Sequence, residues 1–281
     1  MREVLISVII PVFGRFNLFQ EAVESVLRQS FKEYELIIVD DGSNDPRIEW
    51  FSLSNKAKYL RIEHSGRPGL VRNRGVEIAK GKFIAFLDSD DLWNFKKLEI
   101  QYEFLRKNKR FRISHTRELW IKEGKIISQK KQKHKREGNI FIDALKKCIV
   151  GPSTVMLEKK LFEEIGGFRE DLEIAEDYEL WLRVLSKHEI GYIDLPLTIK
   201  RAGKWFQLSK KYEQIEIFRI EGLKKLVEDN FFEREKLLLA KNELLRKIEI
   251  YKRGLLKRNK TQEYLMWNNY SKKVLKTVIS R

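Results

Sequence analysis

The feature that most narrows the choice of fold is a pair of apolar, β-branched runs that stop abruptly at acidic residues. Leu36-Ile-Ile-Val runs into Asp40-Asp41-Gly42-Ser43, and Phe83-Ile-Ala-Phe-Leu runs into Asp88-Ser89-Asp90-Asp91. An earlier run, Val4-Leu-Ile-Ser-Val-Ile-Ile-Pro-Val, has the same character. Strands without polar alternation are buried on both faces, as in a parallel sheet. Helical spacing returns between them. Leu18, Ala22, Val23, Val26 and Leu27 predict a helix over 17–29 with Asn17 as its cap, and further helices are expected over 47–57 and Gly69–Ala79. With a short strand at Tyr59–Ile62, this alternation predicts a doubly wound α/β sheet.

The chain has 281 residues, 42% of them hydrophobic, enough for one sizeable core and an appendage. Its net charge of +16 is unevenly spread: residues 104–138 hold 13 basic and 3 acidic side chains, and 201–281 hold 21 and 10. The rest is mildly acidic, which disfavours a specific nucleic-acid binder and leaves polyanions in general as partners of the two basic extensions. Cys148 is the single cysteine, so an intrachain disulfide and a cysteine metal site are both excluded. No signal peptide is legible at Met1-Arg2-Glu3, and no run of uncharged apolar residues is long enough to span a bilayer. A cytoplasmic protein, resting at most peripherally on the inner face of a membrane, is expected.

Residues 106–138 read as a loop or exposed hairpin. Order resumes at Phe141–Lys147 and Thr154–Leu157, then in helices at Lys160–Ile165 and Asp177–Lys187 and a last strand from Ile190. From Tyr212 the pattern is helical, with breaks expected near Asn230 and at Gly254. Leu237–Leu239, Leu244, Leu245 and Ile248 mark an amphipathic face that suits docking on the preceding α/β body, a second subunit, or an anionic membrane reached through Lys252, Arg253, Lys257 and Arg258.

Ligands of open α/β sheets bind at the carboxyl ends of strands. Two acidic strand ends there repel each other unless something cationic compensates them. For Asp-x-Asp the natural partner is a hard divalent ion such as Mg²⁺ or Mn²⁺, in company with phosphates. No Gly-x-Gly-x-x-Gly and no P-loop motif is present, which disfavours a nicotinamide dehydrogenase and a P-loop NTPase. His64, His115, His134 and His188 lack metal-ligand spacing, and Cys148 reads as an inert buried thiol.

Five segments in order resemble the family 2 glycosyltransferases. They are Ser7-Val-Ile-Ile-Pro-Val-Phe-Gly-Arg, Ile37-Ile-Val-Asp-Asp-Gly-Ser, Gly69-Leu-Val-Arg-Asn-Arg-Gly, Phe86-Leu-Asp-Ser-Asp-Asp, and Gly166-Gly-Phe-Arg-Glu-Asp with Ala175-Glu-Asp-Tyr-Glu-Leu-Trp-Leu-Arg. The resemblance implies a GT-A fold over 1–204: a nucleotide-binding half over about 1–95, a basic insertion over about 106–138, and an acceptor half over about 139–204. A basic helical extension would follow over 205–281. It implies an inverting, non-processive, metal-assisted transfer of a sugar from a nucleotide sugar, UDP-linked in the first instance, to a hydroxyl of a cell-surface or lipid-linked glycan.

By the same resemblance Pro11, Val12, Phe13 and Arg15 line the nucleotide pocket, and Phe13 stands where the family commonly has Tyr. Asp40 or Asp41 accepts from the base or ribose, and Arg72 sits near the base or diphosphate. Asp88 and Ser89 face the nucleotide, with Asp90 and Asp88 on the metal. Asp177, beside Glu176, is the general base. Lys204, near where many relatives carry a metal-binding histidine, is read as a contact to the diphosphate, and Trp205 lies beside it. Trp93 and Trp181 suit either sugar stacking or the core, and Gly166-Gly167 a turn. The alternatives are a phosphotransfer enzyme of the haloacid-dehalogenase type and a non-catalytic polyanion-binding protein on a degenerate transferase scaffold.

Overall fold

The computed structural model describes residues 4–127, 134–203 and 215–279. Its sheet is built from β1 (Ile6–Val12), β2 (Tyr34–Asp40), β3 (Lys58–Arg61), β4 (Phe83–Phe86), β5 (Leu92–Trp93), β6 (Ile113–Lys122), β7 (Lys125–Ile127), β8 (Val155–Glu158) and β9 (Gly191–Ala202). The order is β3-β2-β1-β4-β8-β6-β9-β5, with β7 hairpinned onto β6. β3, β2, β1 and β4 are mutually parallel. β8 is antiparallel to both β4 and β6, and β9 runs parallel to β6. The carboxyl ends of β1, β2 and β4 therefore share an edge with the start of β8 and the late residues of β9. That shared edge is what assembles the site.

Helices cover both faces. On one, α1 (Phe16–Leu27) and α4 (Lys97–Lys107) bury Phe19, Val23, Val26 and Leu98 against Ile6, Val8, Ile10 and Ile38. The other face of β1 and β2, with Ile9, Ile37 and Val39, meets Val71 and Val76 of α3 (Pro68–Glu77). α2 (Arg47–Ser54) links β2 to β3. α5 (Phe141–Lys146), α6 (Lys159–Ile165) and α7 (Glu176–Leu185) extend the second layer. The tail helices α8 (Ile215–Glu228), α9 (Arg234–Lys257) and α10 (Thr261–Ile279) continue it, because Leu223, Leu237, Leu244 and Ile248 belong to the same buried cluster as Ile9 and Phe86. Of the three uses open to the amphipathic tail, docking on the catalytic body is the one observed.

Three local expectations are corrected. α1 begins at Phe16, so Asn17 lies inside its first turn; Gly14 and Arg15, with φ of 60° and 54°, turn the chain off β1 one residue earlier. Ile113–Thr116 forms a buried strand rather than a loop, with two of its polar side chains satisfied inside: Gln101 donates to Ser114, and the His115 Nε2 donates to the Arg136 carbonyl at 2.7 Å. Only the outer part, Leu119–Lys122 with β7, is the expected hairpin. Gly254 does not end a helix. α9 passes through it, since burial of the adjacent Leu255 outweighs the roughly 1 kcal/mol cost of one helical glycine. The chain turns instead around Asn259, whose φ is 57°, and the break expected near Asn230 occurs where that residue has φ 48°.

Candidate active site

α3 packs against β1 and β2 so closely that a Cβ on Gly75 would lie 2.5 Å from the Ile9 side chain. This approach fixes the position of Arg72 one turn earlier. Its Nη1 donates to Glu176 Oε1 and its Nη2 to Asp88 Oδ1, each at 2.6 Å. One buried guanidinium thus ties the end of β4 to the first turn of α7. Burial pushes the Glu176 carboxyl up to about 7, against the pull of Arg72 and with the push of Asp177. Asp88 is also disfavoured as an anion by burial, but Arg72 and Lys200 outweigh that and hold its carboxyl low.

Asp177 follows at the amino end of α7, where a negative charge suits the helix dipole. It is half-buried, its Oδ1 accepts from the Tyr178 amide at 2.7 Å, and the Cys148 thiol donates to its Oδ2 at 3.5 Å. Burial first, then the Asp177 charge, pushes that thiol well above its ordinary range, so Cys148 is a partner of the carboxylate and not a nucleophile. Ala175, in the left-handed region at φ 61°, makes the sharp entry to the helix. Together with Arg15 it places two non-glycine residues of unfavourable backbone on either side of the acidic edge, where strain of this kind tends to collect.

The Asp88–Asp91 turn is filled with cations. Arg15 Nη1 lies 3.0 Å from Asp90 Oδ2, and its Nη2 3.3 Å from Ser89 Oγ. Lys200, near the end of β9, places Nζ 3.1 Å from Asp91 Oδ2 and 3.8 Å from Asp88 Oδ2. Ser153, just before β8, donates to Asp91 at 2.6 Å while its oxygen accepts the Asp88 amide at 3.1 Å. Burial raises Asp91 to about 6 despite Lys200. Arg201 donates to the Asp90 carbonyl at 2.6 Å.

At the carboxyl end of β2, Asp40 is fully enclosed: Oδ1 accepts the Ser43 amide at 2.9 Å and Oδ2 the Tyr59 hydroxyl at 2.6 Å. It holds the turn that carries Asp41. Asp41 receives the Ser65 and Gly66 amides at 2.7 and 2.9 Å, and its own amide donates to the Val12 carbonyl at 2.9 Å. Val12 points into the core, Pro11 is half-buried, and Phe13 is exposed and stacked on His64 with ring centroids 4.1 Å apart. The exposed Phe13–His64 pair forms an aromatic shelf beside Asp41.

The structure thus gathers Arg72, Asp88, Ser89, Asp90, Glu176 and Arg15 on one edge, with Asp177 following Glu176. Trp93 and Trp181 are core residues, the former donating to the Ser153 carbonyl at 2.8 Å. Lys204 and Trp205 lie outside the described residues. Sequence reasoning passed over Lys200, Ser153, His64 and the Cys148–Asp177 contact. For Lys200 the one available signal was a basic pair, Lys200-Arg201, near the end of a strand.

The donors at this edge are of the hard-oxygen type that a divalent ion takes, and in this structure Arg72, Lys200 and Arg15 pair with them. Asp88 and Asp90 supply two carboxylates, although among the described residues no three His, Cys, Asp or Glu side chains converge on one point. One or two carboxylates, with phosphate oxygens and water completing the shell, is a usual way to hold Mg²⁺.

A parallel, acid-edged sheet continued by the antiparallel β8 and followed by a helical carboxyl-terminal part is the GT-A fold. The sequence matches the family model "Glycosyl transferase family 2" over residues 7–166. The chain belongs to that family, which displaces the haloacid-dehalogenase alternative. It is 41% identical over 201 residues to an uncharacterized glycosyltransferase of Rickettsia felis, an alignment that covers 70% of this chain and 33% of that one. The chain thus spans about a third of that relative's length. It is 31% identical over 202 residues to the Escherichia coli UDP-Glc:α-D-GlcNAc-diphosphoundecaprenol β-1,3-glucosyltransferase WfgD, covering 69% of this chain and 75% of that one. Its fold is similar to Staphylococcus aureus TarS residues 1–349 solved with UDP-GlcNAc, with TM-score 0.70, 21% identity, and coverage of 87% of this chain and 73% of that chain.

Proposed function

We propose that the chain transfers a hexosyl group from a nucleoside-diphosphate sugar, UDP-linked in the first instance, to a hydroxyl of a lipid-linked or cell-surface glycan, with inversion. The observation that carries this reading is the double contact of Arg72, which joins donor-side Asp88 to the Glu176-Asp177 pair. Phe13 and His64 offer the base a stacking shelf, and Asp41 lies beside it. Arg15 and Arg72 stand where diphosphate oxygens would arrive. Asp88 and Asp90 would hold Mg²⁺ or Mn²⁺, which when bound neutralises charge developing on the leaving diphosphate.

Asp177 takes the proton from the acceptor hydroxyl as its oxygen attacks the anomeric carbon. The bond from that carbon to the diphosphate oxygen breaks in the same displacement, and the nucleoside diphosphate leaves with the electron pair. Glu176, held by Arg72, positions its neighbour. With one base and no enzyme nucleophile, a single displacement inverts the anomeric centre. The homologue acting on a diphosphoundecaprenol-linked sugar supports a lipid-linked acceptor. Peripheral contact with a bilayer through the basic extension, on the inner face of the membrane, belongs to the same reading; among the described residues no helix is long and apolar enough to cross one.

The test is transfer from a panel of nucleotide sugars to an N-acetylglucosaminyl diphospholipid, together with thermal stabilisation by each nucleotide with and without Mn²⁺. Asp177→Asn is expected to retain the stabilisation by donor and to lose on the order of 10²–10⁴ in transfer rate. Full transfer by Asp177→Asn would remove the base assignment. Absence of stabilisation by every nucleotide would return the chain to a polyanion-binding role.

A further inference from the structure

The tail carries more cationic and apolar surface than its docking on the core uses. Residues 250–262 contain five basic side chains and no acidic one. They form the end of α9, the turn at Asn259 and the start of α10. Within this tip Ile250 and Leu256 are 53% and 54% exposed, and Leu265, just beyond it on α10, is 50% exposed. Arg253 and Lys260 are exposed too, reaching only partly solvated acids, Glu249 at 3.7 Å and Glu263 at 3.8 Å. At 100° per residue Ile250, Arg253, Leu256 and Lys257 fall on one side of α9, opposite the buried Ile248 and Leu255. Interleaved cations and aliphatics on one exposed face are the signature of an interfacial helix, which rests at the headgroup boundary without crossing it.

The direction in which the tip points follows from two contacts. Near the start of α9, Lys236 donates to the Ser186 carbonyl, just past the end of α7. Eleven residues later Lys247 donates to the Lys146 carbonyl at 3.0 Å and lies over the Tyr178 ring, at the start of α7. α9 therefore runs antiparallel to α7, toward the end that carries Glu176 and Asp177. The ten residues from Lys247 to Lys257 carry it roughly 15 Å past that level.

We infer that this helical tip is a docking surface for an anionic lipid bilayer, set beyond the Asp177 end of the molecule so that the acceptor side of the site faces the membrane. The docking stands on the surface itself; its use in presenting a lipid-linked acceptor rests on the transfer reaction proposed above. Each cation near an anionic leaflet strengthens binding about five-fold, while Ile250 and Leu256 add an apolar contribution that a dissolved polyanion would not sense.

The test is sedimentation of the full chain with phosphatidylcholine vesicles, with and without phosphatidylglycerol. Binding is expected only to the anionic vesicles. Arg253→Glu/Lys257→Glu/Lys260→Glu should lower partitioning by at least a hundred-fold, and Ile250→Ser/Leu256→Ser should lower it measurably with all charges intact. Both variants should melt as the parent does and transfer to a water-soluble acceptor at the parental rate. No binding to anionic vesicles overturns the inference. So does loss through charge reversal alone, with equal binding to a soluble acidic polysaccharide. A dimer in solution that Leu256→Ser dissociates, without vesicle binding, assigns the face to a second copy. Vesicle binding without transfer to any acceptor leaves the surface standing and removes the reaction instead.

Discussion

Arg72 and Glu176, 104 residues apart in sequence, meet at 2.6 Å in the interior, and the same guanidinium reaches Asp88. The contact is a buried seam between the turn after β4 and the first turn of α7. Breaking a buried pair by removing one partner leaves an uncompensated charge and costs about 3–5 kcal/mol. Arg72→Met is therefore expected to lower unfolding free energy by about that amount in a urea titration. Arg72→Lys should recover little, since an ammonium cannot make two directed contacts as a planar fork does. Stability equal to the parent in Arg72→Met would show that the seam is held elsewhere.

Glu176 gives stability a pH dependence of definite sign. Burial raises its folded-state pKa from 4.5 to about 7. Between those values the folded state binds the proton and the unfolded state does not, so this contribution is complete below the unfolded pKa and fades as pH rises toward 7. Asp88, held low, works in the opposite sense and loses its contribution on acidification. Comparison with Glu176→Gln isolates the first term. The melting temperature of Glu176→Gln should gain on the parent steadily from pH 5 to pH 8, and parallel curves across that range would refute the assignment.

Gly75 tests whether α3 must lie where it does. A Cβ there would stand 2.5 Å from Ile9 Cγ2 and 3.1 Å from Val39 Cγ2. Overpacking of this kind typically costs about 1–3 kcal/mol, more than the gain of up to about 1 kcal/mol from replacing a helical glycine with alanine. Gly75→Ala should thus be destabilised in denaturant. Because the shift would be passed to Arg72 one turn away, it should also weaken donor binding.

Much of this architecture was legible in the residues. β1, β2 and β4 announce themselves because strands buried on both faces tolerate no polar alternation, and the acids at the ends of β2 and β4 mark the edge where the candidate site assembles. What could not be read were contacts whose partners lie far apart. Lys200 reads as one more lysine in a basic chain until β9 is laid beside β6 and the antiparallel β8 brings Ser153 to the same edge. Asp40 and Asp41 look equivalent in sequence, yet Tyr59 and Ser43 occupy the first while the second anchors the 64–66 loop beside an exposed aromatic stack. The buried strand at Ile113–Thr116 was hidden for a related reason: its serine, histidine and threonine are polar letters, and the Gln101 and Arg136 groups that satisfy Ser114 and His115 come from elsewhere in the chain.

Lys200 is the residue on which the acidic turn most depends. Its ammonium lies between Asp91 and Asp88, at 3.1 and 3.8 Å, with only 16% of the side chain exposed. Lys200→Met fills the space but withdraws the charge, leaving the Asp91 carboxylate to the Ser153 hydroxyl at 2.6 Å. The loss in unfolding free energy should be substantial in the parent background. It should shrink by about 0.5–3 kcal/mol when Asp91 is already Asn, because the interaction being removed no longer exists there. A double-mutant cycle in denaturant measures this coupling directly. A coupling of zero would mean that Lys200 contributes through packing and not through its charge, and that the acidic turn takes its compensation from Arg15 and Arg72.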